Sequence, residues 1–138
     1  MKTLIEAKNL TKRYDNKLAL DELNLNIREG EIFSLLGENG AGKSTTINLF
    51  LGFLKPTSGQ AFINGIEVQS NLEKIKQHIA YIPENVMLYG NLTGLENLDL
   101  FSSIAGKKLK NEDLQRLALN AGLSSDSLNK KFHPILKG

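Results

Sequence analysis

The sequence predicts an α/β domain whose core is a strand, a glycine loop and a helix, with an antiparallel β subdomain on its N-terminal side. Three observations carry this reading. Residues 32–36 are nearly continuous apolar, as expected of a strand covered on both faces in a parallel sheet. The following segment, GENGAGKST at 37–45, has three glycines in nine positions and too few packing groups to prolong a strand. Beyond it Ile47, Phe50, Leu51 and Leu54 recur at the spacing of a buried helical stripe, which Pro56 is expected to stop.

The remaining elements follow in chain order. Leu23, Leu25 and Ile27 alternate with Asn24, Asn26 and Arg28, the period of a strand with one buried face, and residues 4–10 are a weaker copy. Glu29 and Gly30 form a turn into the 32–36 run. Residues 60–63 and 66–68 flank Asn64 and Gly65, a pair suited to the positive φ angles of a tight hairpin. Residues 78–82 read as a short strand closed by Pro83. Thr93 and Glu96 make a capping-box signature for a helix carrying Leu95, Leu98, Phe101 and Ala105, with Gly106 past its end. A second helix starts at Asn111, places Leu114, Leu117, Ala118 and Ala121 on one face, and ends at Gly122. Residues 124–138 are polar and aperiodic. No repeat or linker divides the chain, so a single domain over 1–138 is expected.

Composition narrows the function classes. Of the 138 residues, 41% are hydrophobic and 23% charged, an ordinary core-forming balance. The net charge of +2 is spread over mixed-sign segments, with no basic stripe to follow a phosphate backbone, so no nucleic-acid partner is expected. Cysteine is absent, which excludes disulfides and thiolate metal sites. No apolar stretch approaches the roughly 20 residues of a membrane span, and a cytoplasmic location, docked on a membrane through another protein, is expected.

Gly37, Gly42, Lys43 and Ser44 match the phosphate-loop pattern of a glycine, four free positions, then glycine, lysine and a hydroxyl residue. Each type has a task. The glycines let successive N–H groups of the 37–45 backbone, through Asn39, Gly40 and Ala41 to Thr45, converge on phosphate oxygens, and the helix behind adds its positive end. Lys43 can reach the β- and γ-phosphates, and the Ser44 hydroxyl can ligate Mg²⁺. Nucleotide binding, with ATP and Mg²⁺ as ligands, follows from the loop, whereas kinases, GTPases and transport ATPases all share it.

The stretch from LTKRY through LNIREGEIFSLLGENGAGKSTTINLFLGFLKPTSGQAFINGIEV resembles the N-terminal part of the ATP-binding subunit of ABC transporters, over about residues 3 to 105. The resemblance implies a phosphate-loop NTPase core with an N-terminal antiparallel β subdomain. It also implies roles for further residues. Tyr14, which by itself suits either packing at a strand end or stacking, takes the place of the family's adenine-stacking aromatic. Glu84 in YIPE stands where the family has a glutamine that touches Mg²⁺ and the attacking water, which makes it a candidate metal ligand and catalytic residue beside Lys43 and resembles exporter-type members. Val86, Met87, Leu88 and Tyr89 fall where the family receives a helix of its transmembrane subunit, although core packing would explain these apolar residues nearly as well. A second nucleotide-binding subunit is the other partner implied.

The family's serine-glycine-glycine signature, its apolar strand ending in aspartate and glutamate, and its switch histidine do not occur in these residues: there is no Gly-Gly pair and no apolar run ending in Asp-Glu. Lys130, Lys131 and Phe132 resemble the lead-in to the signature, but HPILKG follows, and His78 and His133 read as structural or solvated. The sequence thus corresponds to about the first three-fifths of such a domain, ending before the signature and the aspartate-bearing strand, and an unpaired apolar edge is expected. Three functions stay open: an ATP-driven transport subunit, a soluble ABC-type ATPase of translation or repair, and a non-catalytic nucleotide-binding fragment.

Overall fold

The computed structural model describes residues 1–131. The chain divides into two compact units, Met1–Tyr81 and Ile82–Gly138. The expectations for Phe132, His133 and the HPILKG segment fall outside the described residues.

The first unit is built on an antiparallel sheet. Strands β1 (Thr3–Tyr14) and β2 (Lys17–Arg28) form a long hairpin, and β3 (Ser58–Ile63) and β4 (Ile66–Glu67) extend it on the other side, in the order β2-β1-β3-β4. The register sets apolar residues opposite one another, with Ile5 facing Ile27, Ala7 facing Leu25 and Leu10 facing Leu23. The expected alternation therefore holds, and both strands run longer than the alternation alone marks. Asn9 sits at an irregularity of the β1–β2 ladder with φ 46°, and Asn24 bridges it: the Asn9 backbone N–H donates to Asn24 Oδ1 at 3.0 Å, and Asn24 Nδ2 donates to Asn9 Oδ1 at 2.8 Å. The turn between β3 and β4 is the expected one, with Asn64 and Gly65 at φ 52° and 76°.

Helix α1 (Lys43–Phe50) and the short α2 (Leu72–Ile75) pack on this sheet. Their Leu49 and Ile75 join Ala7, Leu10, Ala61, Ile63 and Val68 in the core. The stripe expected on α1 is met in part: Phe50 and Leu54 pack against the core and Leu51 is half-buried, but Ile47 is not buried. Thr46 and Leu49 are the buried residues, Ile47 is 41% exposed, and the helix ends at Phe50 with Gly52 at φ 74°, ahead of Pro56. Ile47, Phe50, Phe33, Leu35, Leu25 and Ile27 also line an open apolar cavity of about 550 Å³.

Two expected strands do not form. Residues 32–36 make no ladder, Ile32 is fully exposed and Leu36 88% exposed. Residues 78–82 are irregular as well, with Ile82 83% exposed. The apolar runs are real, but a strand exists only through hydrogen bonds to a neighbour, and no described strand pairs with either segment.

The second unit is helical: α3 (Gly94–Ile104), α4 (Asn111–Asn120) and α5 (Ser125–Asn129). The Thr93 capping box is present, the Glu96 backbone N–H donating to Thr93 Oγ1 at 3.2 Å and the Thr93 backbone N–H to Glu96 Oε2 at 2.7 Å. The bond from the Thr93 backbone lowers the Glu96 carboxyl below its ordinary value. Its stabilisation is thus present above the ordinary carboxylate range and lost as pH falls through the lowered value. On α4 Leu114 and Ala118 are buried, whereas Leu117 and Ala121 are exposed, so the inward face is narrower than the expected one. Helix α5 lies in the stretch read as aperiodic; Ser124 caps it, accepting from the Ser127 backbone N–H, and Leu128 is its buried residue.

Candidate functional site

The glycine loop runs from 37 into the first turn of α1. Gly42 is buried at the N-cap position with φ 89°, and a Cβ there would lie 2.4 Å from the Ala19 carbonyl oxygen. No larger residue fits without moving β2, so the requirement for glycine comes both from the left-handed backbone and from close approach. The same contact seats the β1–β2 hairpin, whose tip carries Tyr14, beside the loop. No side chain caps the N-terminus of α1. Its first N–H groups and the positive end of the helix are therefore available to an anion. Thr46 buttresses the turn, its backbone N–H and its Oγ1 both bonded to the Gly42 carbonyl, at 2.9 and 3.0 Å.

Lys43 curls back over the loop. Its Nζ donates to the carbonyls of Gly37 at 2.6 Å and Glu38 at 2.7 Å, and the Ala41 backbone N–H donates to the Glu38 carbonyl at 3.1 Å. These bonds close the loop on itself and hold an ammonium group within it. Asn39, Gly40, Ala41 and Ser44 are exposed, and Thr45 is half-buried. The structure thus brings together Gly37, Asn39, Gly40, Ala41, Gly42, Lys43, Ser44 and Thr45 in one turn. A concave set of free N–H groups with a fixed cation and a hydroxyl suits a polyphosphate.

Tyr14 stands at the end of β1, 42% exposed, with Lys12 Nζ 5.1 Å from its ring centroid. The ring is thus neither packed away nor engaged on all its surface, and the Lys12 ammonium lies within cation–π range of it. Glu84 is exposed in the irregular segment that opens the second unit. No group of three acidic or histidine side chains able to hold a metal occurs among the described residues.

Residues 86–89 follow Glu84. Val86, Met87 and Tyr89 are 56%, 84% and 52% exposed, while Leu88 turns inward to line an apolar pocket with Leu98, Phe101 and Leu128. The Tyr89 ring rests against Phe101 at 6.3 Å between centroids. Packing within the unit therefore accounts for Leu88 and for one side of the Tyr89 ring, and Met87 is the most exposed of the four. Asn97 was not legible as part of this region: it is a polar residue on a helix, yet it is 2% exposed and bonds the Tyr89 backbone.

The loop, its helix and the flanking antiparallel sheet define a phosphate-loop nucleotide-binding domain. The chain belongs to the ABC transporter family, whose model matches residues 20–134. It is 45% identical over 125 residues to the "Probable multidrug ABC transporter ATP-binding protein YbhF" of Escherichia coli, covering 89% of this chain and 22% of that protein. It is 44% identical to the bacitracin transport ATP-binding protein BcrA of Bacillus licheniformis over 80% of this chain and 36% of that one. The chain thus spans between about a fifth and two-fifths of these relatives. Among solved structures, a dimeric ATP-binding cassette in a post-hydrolysis state bound to ADP and Pi matches with a TM-score of 0.75 and 32% identity, over 93% of this chain and 61% of that chain. Among the described residues no helix is long and apolar enough to cross a membrane.

Proposed function

We propose that residues 37–45 bind the phosphates of ATP, and that the chain is the nucleotide-binding part of an ABC transporter, of exporter type. The observation that carries the first statement is the loop itself, an uncapped helix start behind a glycine turn with Lys43 held at its mouth. The Lys43 ammonium exchanges the Gly37 and Glu38 carbonyls for β- and γ-phosphate oxygens, and the N–H groups at the start of α1 bond the remaining oxygens. Mg²⁺, which would neutralise the charge of those phosphates, would be held by the Ser44 hydroxyl. The export direction is supported by the multidrug and bacitracin transporters named among the relatives, and by the glutamate at position 84. A second copy of the cassette is the partner suggested by the dimeric solved relative.

Tyr14 supplies the adenine contact. An aromatic pair is worth about 0.5 to 1.5 kcal/mol beyond the area it buries. Tyr14→Ala is therefore expected to weaken ATP roughly 2- to 10-fold while leaving inorganic triphosphate unaffected. Calorimetric titration of both ligands tests this, and an equal loss for the two would reduce Tyr14 to a packing residue.

Residues 86–89 dock a helix of the membrane subunit. Val86, Met87 and Tyr89 offer apolar surface on one short loop, the composition of a helix-receiving patch. Met87→Ser is expected to lower capture of the chain by vesicles carrying that subunit about 10-fold, the loss from one buried anchor. Capture equal to that of the parent would remove the docking role.

A further inference from the structure

We propose that Asn97 is a positioning residue that holds the backbone from Tyr89 to Thr93 and so anchors one end of a preformed docking platform; this rests on the docking role assigned to residues 86–89 above. Asn97 lies in the first turn of α3 and is one of the two buried polar side chains among the described residues. Its Oδ1 accepts the Tyr89 backbone N–H at 2.8 Å, and its Nδ2 donates back to the Tyr89 carbonyl at 3.1 Å. The side-chain amide thereby takes both polar groups of Tyr89, as a neighbouring strand would. The same Nδ2 donates to the Thr93 carbonyl at 2.9 Å and lies 3.4 Å from that of Leu92. Oxygen and nitrogen are therefore both engaged, and only an amide has one acceptor and two donors in this shape.

The consequence concerns the exposed side chains. Val86, Met87 and Tyr89 project from a segment outside any helix or strand, and such a segment would ordinarily lose conformational entropy on binding a partner. Anchoring Tyr89 from a helix orders the C-terminal end of that segment in advance, so less of the segment remains to be ordered when a membrane-subunit helix arrives. The capping box of Thr93 and Glu96 holds the start of α3 through the Thr93 N–H and Oγ1, which Asn97 does not bond, so the helix keeps these two bonds when Asn97 is changed.

Two variants test this in the full chain. Asn97→Asp keeps the shape and the acceptor but sets a carboxylate oxygen against the carbonyls of Tyr89 and Thr93. Asn97→Leu keeps approximate size and removes both functions, so a space-filling role would tolerate it. In amide hydrogen exchange, both are expected to lose at least about 10-fold of the protection of the Tyr89 N–H: Asn97→Leu because the acceptor is gone, Asn97→Asp because repulsion between its second oxygen and the Tyr89 and Thr93 carbonyls displaces the carboxylate. The Ala105 N–H, bonded to Phe101 within α3, should keep its protection. Capture by vesicles carrying the membrane subunit should fall in parallel for Asn97→Asp. Unchanged Tyr89 protection would overturn the proposal, as would equal loss at Ala105, which would make Asn97 a residue of the helix fold. Undiminished capture with Tyr89 unprotected would overturn the platform while leaving docking intact. Failure of docking itself is read separately, from Met87→Ser.

Discussion

Lys43→Ala is expected to lose about 100-fold in affinity for Mg-ATP with the fold unchanged. The figure follows from the bonds at stake. A hydrogen bond to a charged group is worth about 1.5 to 3 kcal/mol, and Lys43 exchanges two carbonyl partners for two phosphate oxygens of higher charge. A net loss near 3 kcal/mol is about a hundredfold in dissociation constant. Removing the side chain also frees the loop, because the bonds to the Gly37 and Glu38 carbonyls close it. The helix behind is insulated from this change: Thr46 bonds the Gly42 carbonyl, and Leu49 is in the core. Calorimetry on parent and variant measures the effect, with far-UV circular dichroism as the check on folding. Equal affinities would mean that nucleotide binds elsewhere.

The second large effect is on turnover. These 138 residues alone are expected to release phosphate from saturating Mg-ATP at a rate equal to that of the Lys43→Ala control. Phosphoryl transfer of this kind is mostly positioning and charge stabilisation, and every part must be in place. Lys43 and Ser44 are present, with Glu84 as a third candidate. The aspartate, the water-polarising glutamate and the serine-glycine-glycine signature implied by the family resemblance do not occur in the sequence. Loss of one positioned catalytic group costs about 100- to 10,000-fold in rate. Several absent together leave the background reaction even if their effects do not add. A steady turnover abolished in the control would show that other residues supply these functions, and would favour an autonomous ATPase over a nucleotide-binding fragment.

How far the sequence reveals this molecule depends on the range of the interactions involved. The Asn64–Gly65 hairpin, the Thr93 capping box and the β1–β2 alternation were all legible, because each is decided by neighbours in sequence or by a period. The phosphate loop was legible for the same reason: its residue types and spacing are themselves the device. The runs at 32–36 and 78–82 looked like strands because their composition suits burial, but composition does not supply a ladder partner. Of the stripe read as buried on α1, Phe50 and Leu54 pack against the core, while Ile47 opens into the apolar cavity it shares with Phe33 and Leu35. Helix α5 escaped notice because a single buried residue, Leu128, makes no period. Within the site, the contact of Gly42 with Ala19 and the bonds of Asn97 to Tyr89 join residues that no local pattern connects.

The most direct test of the central claim is an NMR titration of the isotopically labelled chain with Mg-ATP, followed residue by residue at the backbone amides. Saturable shifts centred on Gly40, Gly42, Lys43, Ser44 and Thr45, with loss of the Lys43 bonds to the Gly37 and Glu38 carbonyls, are the expected result. Titration without saturation, or saturable shifts confined to the apolar cavity around Phe33, Ile47 and Phe50, would contradict it.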